Sequence, residues 1–236
     1  RPITYSGQTM GTYYSVKFFV RFPWIKPNYK DLITQRLNTL SNEFSTYNPD
    51  STISNFNRFD QNRSFLVSDD FLTVFRESKR LYLLSNGLFD PTITPLLRLW
   101  GYGADSQSIS KLPQMDTINQ TMDYVGLDLI DIRDDSYLYK KQALVELDLS
   151  SIAKGFAVDQ ISELLESHNI LSYYVDIGGD LRLGDIKPNG SFWTIGISVP
   201  DENSSPSDFI HTTSLTYRSV ATSGSYRQSQ LIDDLT

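Results

Sequence analysis

Asp148, Ser151 and Lys154 fall at i, i+3 and i+6 in the stretch Asp148-Leu149-Ser150-Ser151-Ile152-Ala153-Lys154-Gly155-Phe156-Ala157-Val158-Asp159, where the chain turns into an amphipathic helix. About a strand later comes Val175-Asp176-Ile177-Gly178-Gly179-Asp180. A helix N-terminus offers unpaired N–H groups and a partial positive charge to a phosphate, and paired glycines let the backbone approach a ligand closely. A carboxylate, a small-residue turn, a lysine and a glycine pair in this order therefore have the layout of a nucleotide site. Taken alone, the same residues also describe a helix N-cap with a solvated lysine, followed by a tight turn between strands. Asp159, further along the helix, reads as an ion-pairing or hydrogen-bonding residue of the structure rather than as a catalyst.

An anionic ligand has to be met locally in this chain. Its 236 residues carry a formal net charge of -7, and no basic face of the kind that nucleic-acid binding requires is visible. The counter-charge must come from a lysine, backbone amides or a metal ion. Cysteine is absent, which excludes disulfides, thiolate metal sites and a cysteine nucleophile. Neither His168, at a helix end, nor His211, at a strand entry, lies in a triad context, so Ser223 has no recognisable base partner. With 39% hydrophobic and 13% aromatic residues, the chain can bury one sizeable core or two small ones, and no stretch is long and apolar enough to cross a bilayer. The opening at Arg1-Pro2, running straight into a strand pattern, is what a processed or trimmed protein shows.

The elements that must position these residues alternate between strand and helix periods. Met10, Thr12, Tyr14, Val16, Phe18 and Val20 alternate with smaller or polar neighbours, which predicts a half-buried strand. Asn28 predicts the cap of a helix whose apolar face is Leu32, Ile33, Leu37, Leu40 and Phe44, ended by the polar loop 45–51. Ser68 predicts the cap of a second helix through Phe71, Phe75, Leu81 and Leu84, stopped by Asn86-Gly87. Pro91 and Pro95 keep 89–95 from being regular helix across its length. A short helix is predicted over 116–124 and a small meander over 129–132, 137–140 and 144–147. A helix over 152–165 and strands near 171–175, 181–183, 193–199 and 215–221 complete the pattern. Strands outnumber helices and antiparallel neighbours outnumber βαβ crossovers. The expected fold class is α+β, a single mixed unit with an antiparallel-rich sheet and packed helices.

A series of motifs runs along the chain in order: Met10-Gly11-Thr12; Phe44-Ser45-Thr46-Tyr47 with Asp50-Ser51; Gly87-Leu88-Phe89-Asp90-Pro91-Thr92 with Pro95-Leu96 and Leu99-Trp100-Gly101-Tyr102-Gly103; the Asp148 to Asp159 stretch; Gly178-Gly179-Asp180; and Ala221-Thr222-Ser223-Gly224-Ser225-Tyr226. In order and spacing this series resembles the ApbE family, the FAD:protein FMN transferases, over nearly the whole chain. The resemblance implies one ApbE-like domain over residues 1–236 with a T-fold-like arrangement. It also implies a Mg-dependent enzyme that binds FAD, passes the FMN half to a threonine hydroxyl of an acceptor protein, and releases AMP. Such phosphoryl transfer needs a held pyrophosphate, neutralised charge, a hydroxyl in line and a base for its proton.

Carried over residue by residue, the resemblance makes Met10, Tyr47, Leu88, Phe89, Asp90, Asp148, Lys154 and Thr222 the FAD-binding positions. Ser151 is the position whose carbonyl oxygen joins the Mg shell. Beyond Thr-Ser-Gly the family continues to a His-x-Ile-Asp-Pro-x-Thr-Gly motif and later to an Asp-x-x-x-Thr segment that supplies most Mg ligands. Here Ser229-Gln230-Leu231-Ile232-Asp233-Asp234-Leu235-Thr236 resembles the first, with Gln230, the catalytic candidate, at the histidine. The second is not seen, so the domain is expected to lack its C-terminal segment. An amide gains no proton near neutral pH, and FAD binding is predicted more firmly than transfer. Two other readings use the same pocket: a non-catalytic FAD-binding accessory protein and a Mg-dependent FAD pyrophosphatase. Family members are commonly lipoproteins on the periplasmic side of the bacterial inner membrane, which makes a lipid-anchored location there the expectation, with FAD and an acceptor protein as partners.

Overall fold

The computed structural model describes residues 2–20, 27–60, 63–103, 112–201 and 208–223. In chain order the elements are strands β1 (Ile3–Thr9) and β2 (Thr12–Phe18), helices α1 (Tyr29–Phe44) and α2 (Thr52–Arg58), and strand β3 (Ser64–Leu66). Helices α3 (Asp69–Leu84), α4 (Thr94–Leu99) and α5 (Met115–Met122) follow, then strands β4 (Ile130–Arg133) and β5 (Tyr137–Lys140) and helix α6 (Ser150–Ser167). Strands β6 (Tyr173–Ile177), β7 (Asp180–Leu183), β8 (Trp193–Ser198), β9 (Phe209–Leu215) and β10 (Ser219–Val220) complete the order. The class is α+β, as the pattern of periods implies. The described residues form two compact units, one drawn from Arg1–Thr39 and Lys154–Ser229, the other from Leu40–Ala153.

In the first unit the sheet runs β1-β2-β6-β7-β10 with every neighbour antiparallel. Successive strand residues point to opposite faces, and the register sorts the side chains accordingly. Tyr14, Val16 and Phe18 lie opposite Ile177, Val175 and Tyr173, and all six are buried. Helices cover this face: the Phe18 ring meets Tyr29 of α1 edge-on at 5.3 Å, and Arg182 of β7 reaches Asp159 of α6 at 3.0 Å. That ion pair is the structural role expected of Asp159. The other face carries a smaller cluster of Leu181, Leu183, Trp193 and Ile195, with Tyr174 packed against it.

Met10 is not a strand residue, contrary to the alternation that predicted it. Thr9 pairs with Thr12, and the two residues between them have φ of 48° (Met10) and 73° (Gly11). Two successive positive φ values make the tight hairpin turn whose twist matches that of the flanking strands. The predicted 215–221 strand also divides, into the end of β9 and the short β10, at Tyr217 with φ 48°.

The second unit is built around α3. Ser68 caps it by accepting a hydrogen bond from the Phe71 N–H at 3.1 Å, and Gly87, with φ 79°, donates its N–H to Tyr82 O at 2.9 Å beyond its C-terminus. Phe71, Leu72, Val74 and Phe75 are buried. The Phe44 ring stacks on Phe71 at 5.6 Å. The short α2, which no sequence pattern announces, is capped by Ser51 accepting from Ser54 N–H at 3.1 Å.

The predicted meander is altered in one strand. The small sheet is β3-β5-β4, and 144–147 is not part of it. Val145, Leu147 and Leu149 are buried in strand-like alternation, but Leu147 finds a side-chain partner rather than a strand. Its N–H donates to Asn57 Oδ1 at 2.8 Å, and its carbonyl accepts from Asn57 Nδ2 at 2.9 Å.

Candidate functional site

In the first unit the glycine pair makes the turn between β6 and β7. Gly178 has φ 59° and Gly179 φ 92°, a region that side chains with a Cβ adopt only under strain. Space excludes a Cβ as well: one added at Gly178 would lie 2.7 Å from Thr12 Cγ2, and one at Gly179 would lie 2.6 Å from Thr222 Oγ1. The turn is anchored by its neighbours. Gly178 N–H donates to Tyr13 O at 3.0 Å, Gly179 N–H donates to Asp176 Oδ1 at 3.0 Å, and Thr222 Oγ1 donates to Gly179 O at 3.2 Å.

Lys154 stands beside this turn, its Nζ 3.7 Å from Asp180 Oδ2. It shares with Gly178, Gly179, Thr12 and Thr222 the lining of an open cleft of about 1830 Å³. Asp176, nearly buried, accepts from the Tyr174 hydroxyl at 2.9 Å. Burial first, and then the Asp176 charge, push that hydroxyl above its ordinary range, so Tyr174 stays a donor at any physiological pH. A close-approaching backbone, a lysine and polar hydroxyls at one cleft suit a phosphate-bearing ligand. Met10 sits at the tip of the β1–β2 hairpin, two residues before the cleft-lining Thr12.

In the second unit the segments that carry the two candidate carboxylates are joined by a backbone hydrogen bond. Asp148 N–H donates to Pro91 O at 2.8 Å, which fixes the Asp148 backbone against the residue after Asp90. Asp90 Oδ1 accepts from Thr92 N–H at 2.8 Å and from Thr92 Oγ1 at 2.6 Å, while buried Thr92 accepts from Gly126 N–H at 2.7 Å. Asp148 Oδ1 accepts from Ser150 N–H at 2.8 Å. It thus serves the start of α6, and in both carboxylates the intramolecular bonds use Oδ1.

Of the remaining candidates of this unit, Tyr47, Leu88 and Ser151 stand open to solvent. Leu88 is 93% exposed and Tyr47 73% exposed, values that leave large apolar surfaces for a planar ligand. Phe89 is half-buried, with its N–H held by Ser85 Oγ at 2.9 Å. Ser151 is exposed in the first turn of α6. Gln230 lies outside the described residues.

Magnesium prefers about six oxygen ligands in octahedral array. Among the described residues no three His, Asp or Glu side chains gather to hold a metal, so a magnesium ion here would take much of its shell from phosphate and water. His168 is a structural residue: its Nδ1 meets Leu164 O at 2.8 Å, and its ring stands edge-on to Tyr29 at 5.6 Å. The sequence reading missed Asp176, although an aspartate two residues before a Gly-Gly pair is a turn-capping signal. It also missed Asn57, whose partner is 90 residues away and which no local pattern could supply.

The family model described as "ApbE family" matches residues 10–234. The FAD:protein FMN transferase of Vibrio cholerae is 35% identical over 98% of this chain and 71% of its own length. That of Haemophilus influenzae is 36% identical over 85% of this chain and 59% of its own. The chain thus spans between about three fifths and seven tenths of these relatives. The solved flavin transferase ApbE from Vibrio cholerae superposes with a TM-score of 0.84 at 32% identity, covering 98% of this chain and 74% of that one. Motif order, fold and similarity over almost the full length agree, and this chain belongs to the ApbE family.

Proposed function

We propose that this chain is an FAD:protein FMN transferase, a Mg-dependent enzyme that moves the FMN half of FAD to a threonine hydroxyl of an acceptor protein and releases AMP. The observation that carries the reading is the ApbE family match over residues 10–234. In the reaction the threonine oxygen bonds to the phosphorus of the FMN half. The bond from that phosphorus to the bridging pyrophosphate oxygen breaks, and the bridge oxygen leaves with AMP. The hydroxyl proton goes to a base or to water.

Each residue has a part that its chemistry allows. Lys154 and the backbone around Gly178-Gly179 would offset and approach the pyrophosphate. Asp148 would accept hydrogen bonds from the nucleotide, Asp90 with Leu88 and Phe89 would meet the flavin end, and the open ring of Tyr47 would lie against the isoalloxazine. In the first unit, Met10 and Thr222 would contact FAD as the family positions they match. Magnesium, when bound, supplies further charge neutralisation at the pyrophosphate, and Ser151 would offer it a carbonyl oxygen. Gln230, at the family histidine, cannot take up the threonine proton, so FAD binding is expected to exceed transfer in ease. The family's usual setting supports a periplasmic location with lipid anchoring, to be tested by fractionating cells that carry the native gene and by labelling with a tagged fatty acid.

The deciding experiment mixes the protein with FAD, Mg and an acceptor protein. Covalent flavin on an acceptor threonine, with stoichiometric AMP, supports transfer. AMP with free FMN would instead establish a pyrophosphatase, and tight FAD binding without either product an accessory protein.

A further inference from the structure

We infer that Asn57 and Lys140 are positioning residues for the FAD site, acting through the backbone of the segment that presents Asp148. The inference rests on the reading of Asp148 as a nucleotide-binding carboxylate. Segment 145–149 lies between β5 and α6, in neither helix nor strand, yet it must hold Asp148 in one place. Its polar backbone is satisfied one group at a time. The Asn57 amide takes both the N–H and the carbonyl of Leu147, at 2.8 and 2.9 Å, as one residue of a neighbouring strand would. The next residue, Asp148, donates its N–H to Pro91 O at 2.8 Å. On the preceding side, Glu146 is held by Arg98 at 2.8 Å.

Asn57 is itself fixed from below. Lys140 is 1% exposed, and its ammonium donates to Asn57 O at 2.9 Å and to Ala143 O at 3.4 Å. It also stands 5.0 Å from the centre of the Phe56 ring. A buried ammonium is tolerated only where carbonyls and a ring face replace its water. Those carbonyls belong to α2 and to the turn before the Asp148 segment, so the lysine ties both together. Neither side chain is placed among the FAD contacts. Their effect on a ligand would pass through the position of Asp148.

The test is a double-mutant cycle read by FAD affinity, with thermal unfolding of each variant alongside. Asp148→Asn should weaken FAD by about 10-fold, the loss of one hydrogen bond to a charged group. Asn57→Ala should weaken FAD by about 3- to 10-fold in the wild-type background and by less than about 2-fold in the Asp148→Asn background, because its effect runs through that carboxylate. A purely structural role would lower the melting temperature equally in both backgrounds and leave FAD affinity unchanged or changed additively, which would overturn the inference. Should Asn57→Ala fail to fold, Lys140→Met goes through the same cycle, and additivity there has the same force. If Asp148→Asn alone leaves FAD affinity unchanged, it is the reading of Asp148 that falls, and with it the ground of this inference.

Discussion

The β6–β7 turn and the Asp90–Asp148 pair prepare for a ligand by opposite means. At the turn the backbone itself is specialised: Gly178 and Gly179 have φ of 59° and 92°, and Thr12 and Thr222 occupy the space a Cβ would need. At the carboxylates the backbone conformation is ordinary and the specialisation lies in side chains, with Thr92 holding Asp90 and Asn57 holding Leu147, alongside one backbone bond from Asp148 to Pro91 O. A change at the turn therefore strains the fold and the site together. A change at a carboxylate can damage the site and spare the fold.

The largest effect is expected at the turn. Gly179→Ala should lower stability by about 1 to 3 kcal/mol, the usual range for a side chain forced into such a conformation, and abolish measurable FAD binding. Denaturant unfolding and FAD titration read the two losses. Because the clash is with Thr222 Oγ1, adding Thr222→Ala should recover part of the stability, and no recovery would mean that backbone conformation alone dictates the glycine.

Lys154→Met comes next. It removes the cleft's ammonium and leaves Asp180 unpaired, and FAD affinity should fall by about 10- to 100-fold, the range for losing a hydrogen bond to a charged group and its field. The melting temperature should hardly move, since the 3.7 Å pair is partly solvated. Equal losses in binding and stability would erase the contrast between lysine and glycines.

Asp90→Asn should cost about 10-fold in FAD affinity with the fold intact. The amide can still accept from Thr92 while the charge is gone, so circular dichroism should be unchanged. A large drop in melting temperature would show that the second region is as tied to the fold as the first.

A further contrast concerns pH. Burial lowers the Lys140 pKa from 10.5 to about 8, so the folded state holds the charged form less readily than the unfolded chain does. That penalty is complete below about pH 8 and vanishes above about pH 10.5, where both states are neutral. Between these values the wild-type protein should gain stability relative to Lys140→Met, as melting temperatures across the range would reveal. An unchanged difference would mean that the ammonium is well solvated after all.

Local signals carried much of the architecture. Ser68 and Asn86-Gly87 bracket α3 as their chemistry requires, and the apolar spacing of Tyr14, Val16 and Phe18 marks the buried face of β2. Where local pattern misled, a distant or conformational fact intervened. Met10 continues the alternation but carries a positive φ in a turn, and 144–147 has strand spacing but pairs with the Asn57 amide from 90 residues upstream.

By itself, the sequence determined the family and the candidate residues, because motif order and residue chemistry survive without coordinates. It also determined that anionic charge must be met locally in a chain of net charge -7. Only the tertiary structure decided that the glycine pair lies under Thr12 and Thr222, that Lys154 faces Asp180, and that the Asp148 backbone is tied to the carbonyl of Pro91. Each of these is a contact between residues far apart in the chain. Hydrogen bonds and excluded volume at such distances are set by how the elements pack, which no local period or propensity encodes.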